Sequence, residues 1–216
     1  MGKDVCFETI LLLGPTAAGK TPLGDTISSK GIDGQRCFHF DFGNELRTVA
    51  GSADSAHLFK SDEINFIRGV LEKGLLLEDE RFYLAKKIFH AFVGREKVGT
   101  RDSVIMNGLP RHVGQAEGMR DVVNVKTVVE LACSRDNIVC RINENTGGDR
   151  TDREDDHHEL VMKKIDIYTQ RTAPLIEYYR DQRSQIIRIE VAPESSPLSM
   201  YDEFLTKCTP QRQNVP

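Results

Sequence analysis

The stretch Ile10-Leu-Leu-Leu-Gly14-Pro-Thr-Ala-Ala-Gly19-Lys20-Thr21 limits the fold more than any other part of the chain. An apolar run breaks at Gly14 into a short loop, the loop closes at Gly19-Lys20-Thr21, and a helical pattern follows from Leu23. Gly14 and Gly19 carry no Cβ, so the backbone between them can curl and turn successive N–H groups toward one anion. The helix that follows points its positive end at the same place. Pro22 suits a first helical turn, where a missing N–H costs nothing. The spacing G-x-x-x-x-G-K-S/T in a strand–loop–helix setting is that of a phosphate-binding loop. Pro15, Thr16, Ala17 and Ala18 form its body, Lys20 reaches the terminal phosphates, and the Thr21 hydroxyl binds the Mg²⁺ that travels with a nucleotide triphosphate.

The rest of the chain alternates strand and helix signals. Val5–Leu13 reads as the first strand, buried on both faces as in a parallel sheet. A helix runs to Lys30 and stops at Gly31. Arg36–Phe40 is a second strand, and Asp41 to Arg47 opens a helix at its carboxyl end. Helical periods cover Ser61–Lys73, with Ser61 as N-cap and Gly74 as C-cap, and Glu78–Val93. Asp102–Met106 is the third strand, leading into Asn107-Gly-Leu-Pro-Arg111. Val125–Leu131 is the fourth strand and Arg135–Arg141 a short helix. A polar stretch spans Asn143–Asp156, a long helix runs from His157 to Gln182, Ile186–Val191 is the last strand, and Leu198–Lys207 closes the chain. Such alternation predicts right-handed crossovers and an α/β, doubly wound, parallel five-stranded sheet. Ligands in such folds bind beyond the carboxyl ends of the strands, where the phosphate loop and the turns 41–47 and 107–111 all fall.

Composition narrows the function. A net charge of −4 gives no basic face for nonspecific nucleic-acid binding. Acidic Asp4 and Glu8 near the start argue against a signal peptide, and the apolar run is too short to span a bilayer. The five cysteines (Cys6, Cys37, Cys133, Cys140, Cys208) form no C-x-x-C pair and read as thiols of a reducing, cytoplasmic setting. The tail from Thr209 to Pro216 reads as frayed. Among the cations, Arg47 and Arg111 stand just after strands, where planar guanidinium groups suit phosphate recognition. Arg150, Arg153 and Lys164 are further candidates.

Several motifs in this order resemble those of the adenylate kinases, within the nucleoside monophosphate kinase family of phosphate-loop proteins, from Ile10 to about Lys207. Asp41-Phe-Gly-Asn-Glu-Leu-Arg47 resembles S-T-G-D-x-L-R, whose arginine holds the monophosphate. Leu71 to Leu77 resembles the segment over which the acceptor base lies. Asn107-Gly-Leu-Pro-Arg111 with Gln115 resembles D-G-F/Y-P-R-x-x-x-Q, in which the arginine grips phosphate and the glutamine reads the base. Arg153-Glu-Asp155-Asp156 resembles the lid's R-x-D-D, and Tyr168–Tyr179 the helix that closes most members. The resemblance implies one kinase-like domain. Its core is 1–40, 95–142 and 157–216, with an acceptor-binding lobe at 41–94 and a short, metal-free lid at 143–156. It further implies ATP with Mg²⁺ as donor, a nucleoside monophosphate (AMP first) as acceptor, and a monomer. Lys20, Arg111, Arg153 and Lys164 would be the catalytic cations, with Phe42, Arg47, Leu77, Arg111 and Gln115 around the acceptor. Asp155 and Asp156 would either orient lid arginines or act as an acidic pair favouring a helix N-terminus.

Departures from the pattern matter as much. Asn107 stands at the metal position where the family carries aspartate, and an amide supplies no charge, so weaker Mg²⁺ binding and slower turnover are expected. Asp102 or a glutamate is the compensation to look for. Phe42 and Asp41 replace small hydroxyl residues beside the acceptor, and Asn44 replaces aspartate. Lys164 replaces arginine, a point charge for a fork. The lid also lacks a second arginine unless Arg150 or Arg141 serves. Two alternatives follow: a kinase for another nucleoside monophosphate, or a nucleotide-binding protein of this fold with reduced turnover.

Overall fold

The computed structural model describes residues 6–52, 55, 57–73, 77, 81–148 and 158–208. At its centre lies β1 (Phe7–Leu13), buried everywhere except Glu8 because helices cover both faces of the sheet. Its side chains part in strict alternation: Phe7, Leu11 and Leu13 enter one core, Ile10 and Leu12 the other. β3 (Ser103–Asn107) and β4 (Val123–Ala132) flank it, and β2 (Cys37–Asp41) and β5 (Gln185–Glu190) complete a five-stranded sheet of order β2-β3-β1-β4-β5. Every strand pairing in that sheet is parallel. The α/β doubly wound sheet expected from the sequence is the one the chain forms.

On one face, α1 (Lys20–Lys30) and α9 (Pro197–Cys208) bury Leu23, Ile27, Met200 and Phe204 against Ile10, Leu12, Ile105 and Ile189. On the other lie α4 (Tyr83–Glu96), α5 (Val113–Met119) and α8 (Leu175–Asp181). There the Phe40 ring meets Phe89 and Phe92 edge-on, each at 5.2 Å, a favoured aromatic geometry. α2 (Phe42–Gly51) and α3 (Ser61–Lys73) extend this core through Phe42, Leu46, Val49 and Ile67. α6 (Arg135–Glu144) and α7 (His158–Ile167) share a small third core of Ile138, Val161 and Ile165. Among the described residues no helix is long and apolar enough to cross a membrane.

The elements differ from expectation in four places. β4 begins at Val123, two residues early, because Val123 and Asn124 pair with Phe7 and Glu8. α5 was not foreseen; His112 caps it by accepting the Gln115 N–H. Ser61 is the first residue of α3 and not its cap: Glu63 reaches back to the Lys60 N–H at 2.8 Å instead. The long helix expected over 157–182 is broken. α7 passes into a π-helical turn (Tyr168–Thr172), where the Ala173 N–H bonds the Tyr168 carbonyl at 2.8 Å, before α8 resumes. Pro174 brings no N–H and crowds the carbonyl four residues back, so the α ladder cannot run through it. Gly74, residues 149–156 of the lid and the 209–216 tail lie outside the described residues, while the lid's first two positions, 143 and 144, end α6.

Candidate active site

The strand register fixes which residues meet. Asn107 is level with Leu12 of β1 and with Asp41 of β2, so the ends of three neighbouring strands coincide. Gly14 follows β1 directly. A Cβ on Gly14 would lie 2.8 Å from the Leu131 carbonyl oxygen, a backbone atom of β4 that has no room to retreat. The loop therefore turns hard against the sheet and delivers the N-terminus of α1 to the same edge. Lys20 Nζ donates to the carbonyls of Gly14 at 2.8 Å and Pro15 at 2.7 Å, lying along its own loop. Pro15 has no N–H to give and faces a second cavity behind the loop, and the Ala18 side chain is buried. Thr16, Ala17, Gly19, Lys20 and Thr21 face the main cleft.

That cleft, about 320 Å³, gathers the expected residues from distant parts of the chain: Phe42 and Arg47 of α2, Leu77, Asn107, Arg111, Gln115 of α5, and Lys164 of α7. The space for a Cβ on Gly43 lies 3.3 Å from Asp41 Oδ1 and 3.8 Å from Arg47 Nη1. The corresponding point on Gly108 lies 3.9 Å from Arg111 Nη2 and 3.9 Å from the Gly43 nitrogen. Both guanidinium groups thus border one glycine floor. Arg111 is held from several sides: its N–H donates to Gln115 Oε1 at 2.8 Å, its carbonyl accepts from Thr172 Oγ1 at 2.9 Å, and its Nε donates to the Gly108 carbonyl at 3.1 Å. Its side chain is open to the cleft but has protein on its other sides, which lowers its pKa; the Asp41 carboxylate partly offsets this. An anion in the cleft would relieve that cost.

Asp41 is the residue whose place the sequence did not reveal. Its Oδ2 accepts from Thr21 Oγ1 at 2.7 Å and from Asn107 Nδ2 at 2.9 Å, and its Oδ1 caps α2 by accepting the Asn44 N–H at 3.0 Å. Burial pushes its carboxyl pKa up, but the Thr21 and Asn44 hydrogen bonds, with His39 and Arg47 nearby, hold it below the usual carboxylate range. Asp102, the compensation foreseen for Asn107, lies at the opposite end of β3. There it accepts from Arg36 at 2.7 Å and from the Gly99 N–H at 2.7 Å.

Three other candidates have protein partners of their own. The Gln115 amide, expected to read a base, is fully buried, and its Nε2 donates to the Leu77 carbonyl at 2.7 Å. Phe42 packs its ring toward Phe40 in the core as well as lining the cleft. Arg141, a candidate lid cation, is only 1% exposed and serves the loop from behind. Arg150, Arg153, Asp155 and Asp156 lie outside the described residues. The π-helical turn adds Tyr168 and Thr172 to the cleft wall; Pro174 signals the break in the sequence but not which residues it turns into the cleft.

No family model matches the chain. It is similar over most of its length to curated proteins named adenylate kinase. That of Treponema denticola is 25% identical over 211 residues, 86% of this chain and 92% of the relative. That of Natronomonas pharaonis is 27% identical, covering 90% and 94%. One from Xanthomonas campestris pv. campestris is 29% identical, covering 84% and 89%. Among solved structures, a gluconokinase from Sinorhizobium meliloti superposes with a TM-score of 0.51 at 13% identity, over 93% of this chain and 90% of that one. A sugar kinase from Janibacter gives 0.52 at 12%, covering 94% of each. These likenesses define the class of fold: an α/β phosphate-loop fold of the kind found in small-molecule kinases.

Proposed function

We propose that the protein is an adenylate kinase-like nucleoside monophosphate kinase, moving the terminal phosphoryl group of ATP to AMP to give two ADP. The observation that carries this reading is the meeting of the phosphate loop with Arg47 and Arg111 across one glycine floor. The relatives named adenylate kinase support it. In this reading the core is 1–40, 95–142 and 157–216, the acceptor lobe 41–94, and the lid 143–156.

The mechanism is positional and electrostatic. The loop amides, Lys20 and the N-terminus of α1 hold the donor's phosphates. Arg47 and Arg111 hold the acceptor phosphate so that one of its oxygens faces the γ-phosphorus. A bond forms between them as the bridge to the β-phosphate breaks and its electrons pass to ADP. The transition state is loose, with charge on equatorial oxygens, so alignment and charge neutralisation supply the rate. Lys164 and the lid's Arg153 close over the transferring group and keep water out. The residues fit Mg²⁺: Thr21 and Asp41 offer hard oxygens side by side at the mouth of the loop. When bound, Mg²⁺ neutralises the charge of the β- and γ-phosphates.

The test is a coupled assay with ATP, AMP and Mg²⁺. Two ADP should form per turnover, and Arg111→Lys should lower kcat/KM for AMP by roughly 30- to 100-fold through loss of a bidentate grip. No ADP from protein that binds ATP would overturn the reading. The Gln115 bond to the Leu77 carbonyl favours a second reading, an acceptor with another base; ranking nucleoside monophosphates by kcat/KM decides between them.

A further inference from the structure

Two departures from the expected pattern, an aspartate at 41 and an asparagine at 107, meet in space. The two residues are level across the β2–β3 pairing. They close a triangle with Thr21: Thr21 Oγ1 to Asp41 Oδ2 at 2.7 Å, Asn107 Nδ2 to Asp41 Oδ2 at 2.9 Å, and Asn107 Nδ2 to Thr21 Oγ1 at 3.0 Å. The chemistry of each group fixes its orientation. A carboxylate only accepts, so Asn107 must turn its NH₂ toward Asp41. An aspartate at 107 would set two carboxylates face to face at this distance. The asparagine is therefore the partner that a carboxylate at 41 requires, and the two departures are one change.

The Thr21 hydroxyl gives its single hydrogen to Asp41, takes one from Asn107, and keeps one lone pair. The cap bond from the Asn44 N–H to Asp41 Oδ1, 3.0 Å long, holds the carboxylate in place beside it. We infer that Asp41 is the acidic group for the Mg²⁺ that accompanies the nucleotide, supplied from the end of β2, with Asn107 and Thr21 orienting it. The inference rests on the ATP reading above. It also answers the weak metal binding expected from Asn107 alone, because the missing carboxylate comes from the neighbouring strand.

The test separates metal from scaffold. ATP binding is measured calorimetrically in EDTA, and Mn²⁺ binding to the protein–ATP complex by electron paramagnetic resonance. Asp41→Asn should bind metal-free ATP as well as or better than the wild type, since a repelling charge is gone. Its ATP complex should bind Mn²⁺ about 10- to 100-fold more weakly. The double variant Asp41→Asn/Asn107→Asp, with its carboxylate one strand over, should recover most of that loss. Unchanged Mn²⁺ affinity in Asp41→Asn would overturn the inference, and so would an equal loss of metal-free ATP binding, the mark of a scaffold role. A wild-type protein that binds no ATP in EDTA or with metal would instead remove the nucleotide reading, and this inference with it.

Discussion

A guanidinium group in a protein interior needs a reason, and at Arg141 the reason is the phosphate loop. It donates to the carbonyls of Ala17 at 3.0 Å, Ala192 at 2.9 Å, Pro193 at 3.1 Å and Ser195 at 2.9 Å. One side chain thus ties the loop to the segment between β5 and α9. Arg141→Met would keep much of the volume and leave buried carbonyls unpaired, so it should cost about 3–5 kcal/mol of stability and weaken ATP binding. Denaturant titration reads the first effect and calorimetry the second; a loss under about 1 kcal/mol would refute the assigned role. The sequence showed Lys20, Thr21, Arg47 and Arg111 because each sits at a fixed offset from a strand end. It could not show Arg141 or Asp41 in their actual roles. Those depend on partners 124 and 66 residues away that only the register and the helix packing bring within reach.

At the scale of elements, α4 is fastened to its neighbours by two carboxylates that are themselves buried. Glu45 of α2, 5% exposed, takes two bonds from Arg95, at 3.0 and 2.8 Å, and Glu63 of α3, 4% exposed, takes Lys87 at 2.6 Å. The pairs are asymmetric, because the Arg95 side chain is half exposed while that of Glu45 is buried. Arg95→Met strands a carboxylate in the interior, whereas Glu45→Met leaves a guanidinium that can turn to water. Arg95→Met should therefore cost more, about 2–3 against about 1 kcal/mol, and equal losses by thermal melting would show that burial of Glu45 is not what matters. Local signals made the strand–loop–helix unit and the end of α1 at Gly31 legible. Where context ruled, the reading failed. α5 hid behind Gly114 and Gly118, and Gly118 is explained only by the Phe82 ring, which lies 2.5 Å from where a Cβ would be. The break at Tyr168–Thr172 did have a sequence signal, Pro174, but the helical composition on both sides of it outweighed that signal.

For the whole molecule, the cleft draws on five separate segments: the loop after β1, the turn after β2 with α2, the end of α3 with Leu77, the turn after β3 with α5, and α7 with its π-helical turn. A ligand that touches all of them cross-links the fold, and anything bound only by the native state raises its stability. ATP alone would engage the loop side. Two adenosines joined through one polyphosphate chain would engage Arg47 and Arg111 as well, and linking the two ends raises affinity by about 100- to 10,000-fold without new kinds of contact. At equal concentration the linked compound should then add about 3–5 kcal/mol over ATP, which for a chain of this length is about 5–20 °C in Tm. Arg47→Ala should remove much of that excess while leaving the shift with ATP in place, because its guanidinium borders the glycine floor and not the loop. Equal shifts for ATP and the linked compound, or an excess that survives Arg47→Ala undiminished, would mean that the two guanidinium groups serve something other than a second phosphate aligned with the first.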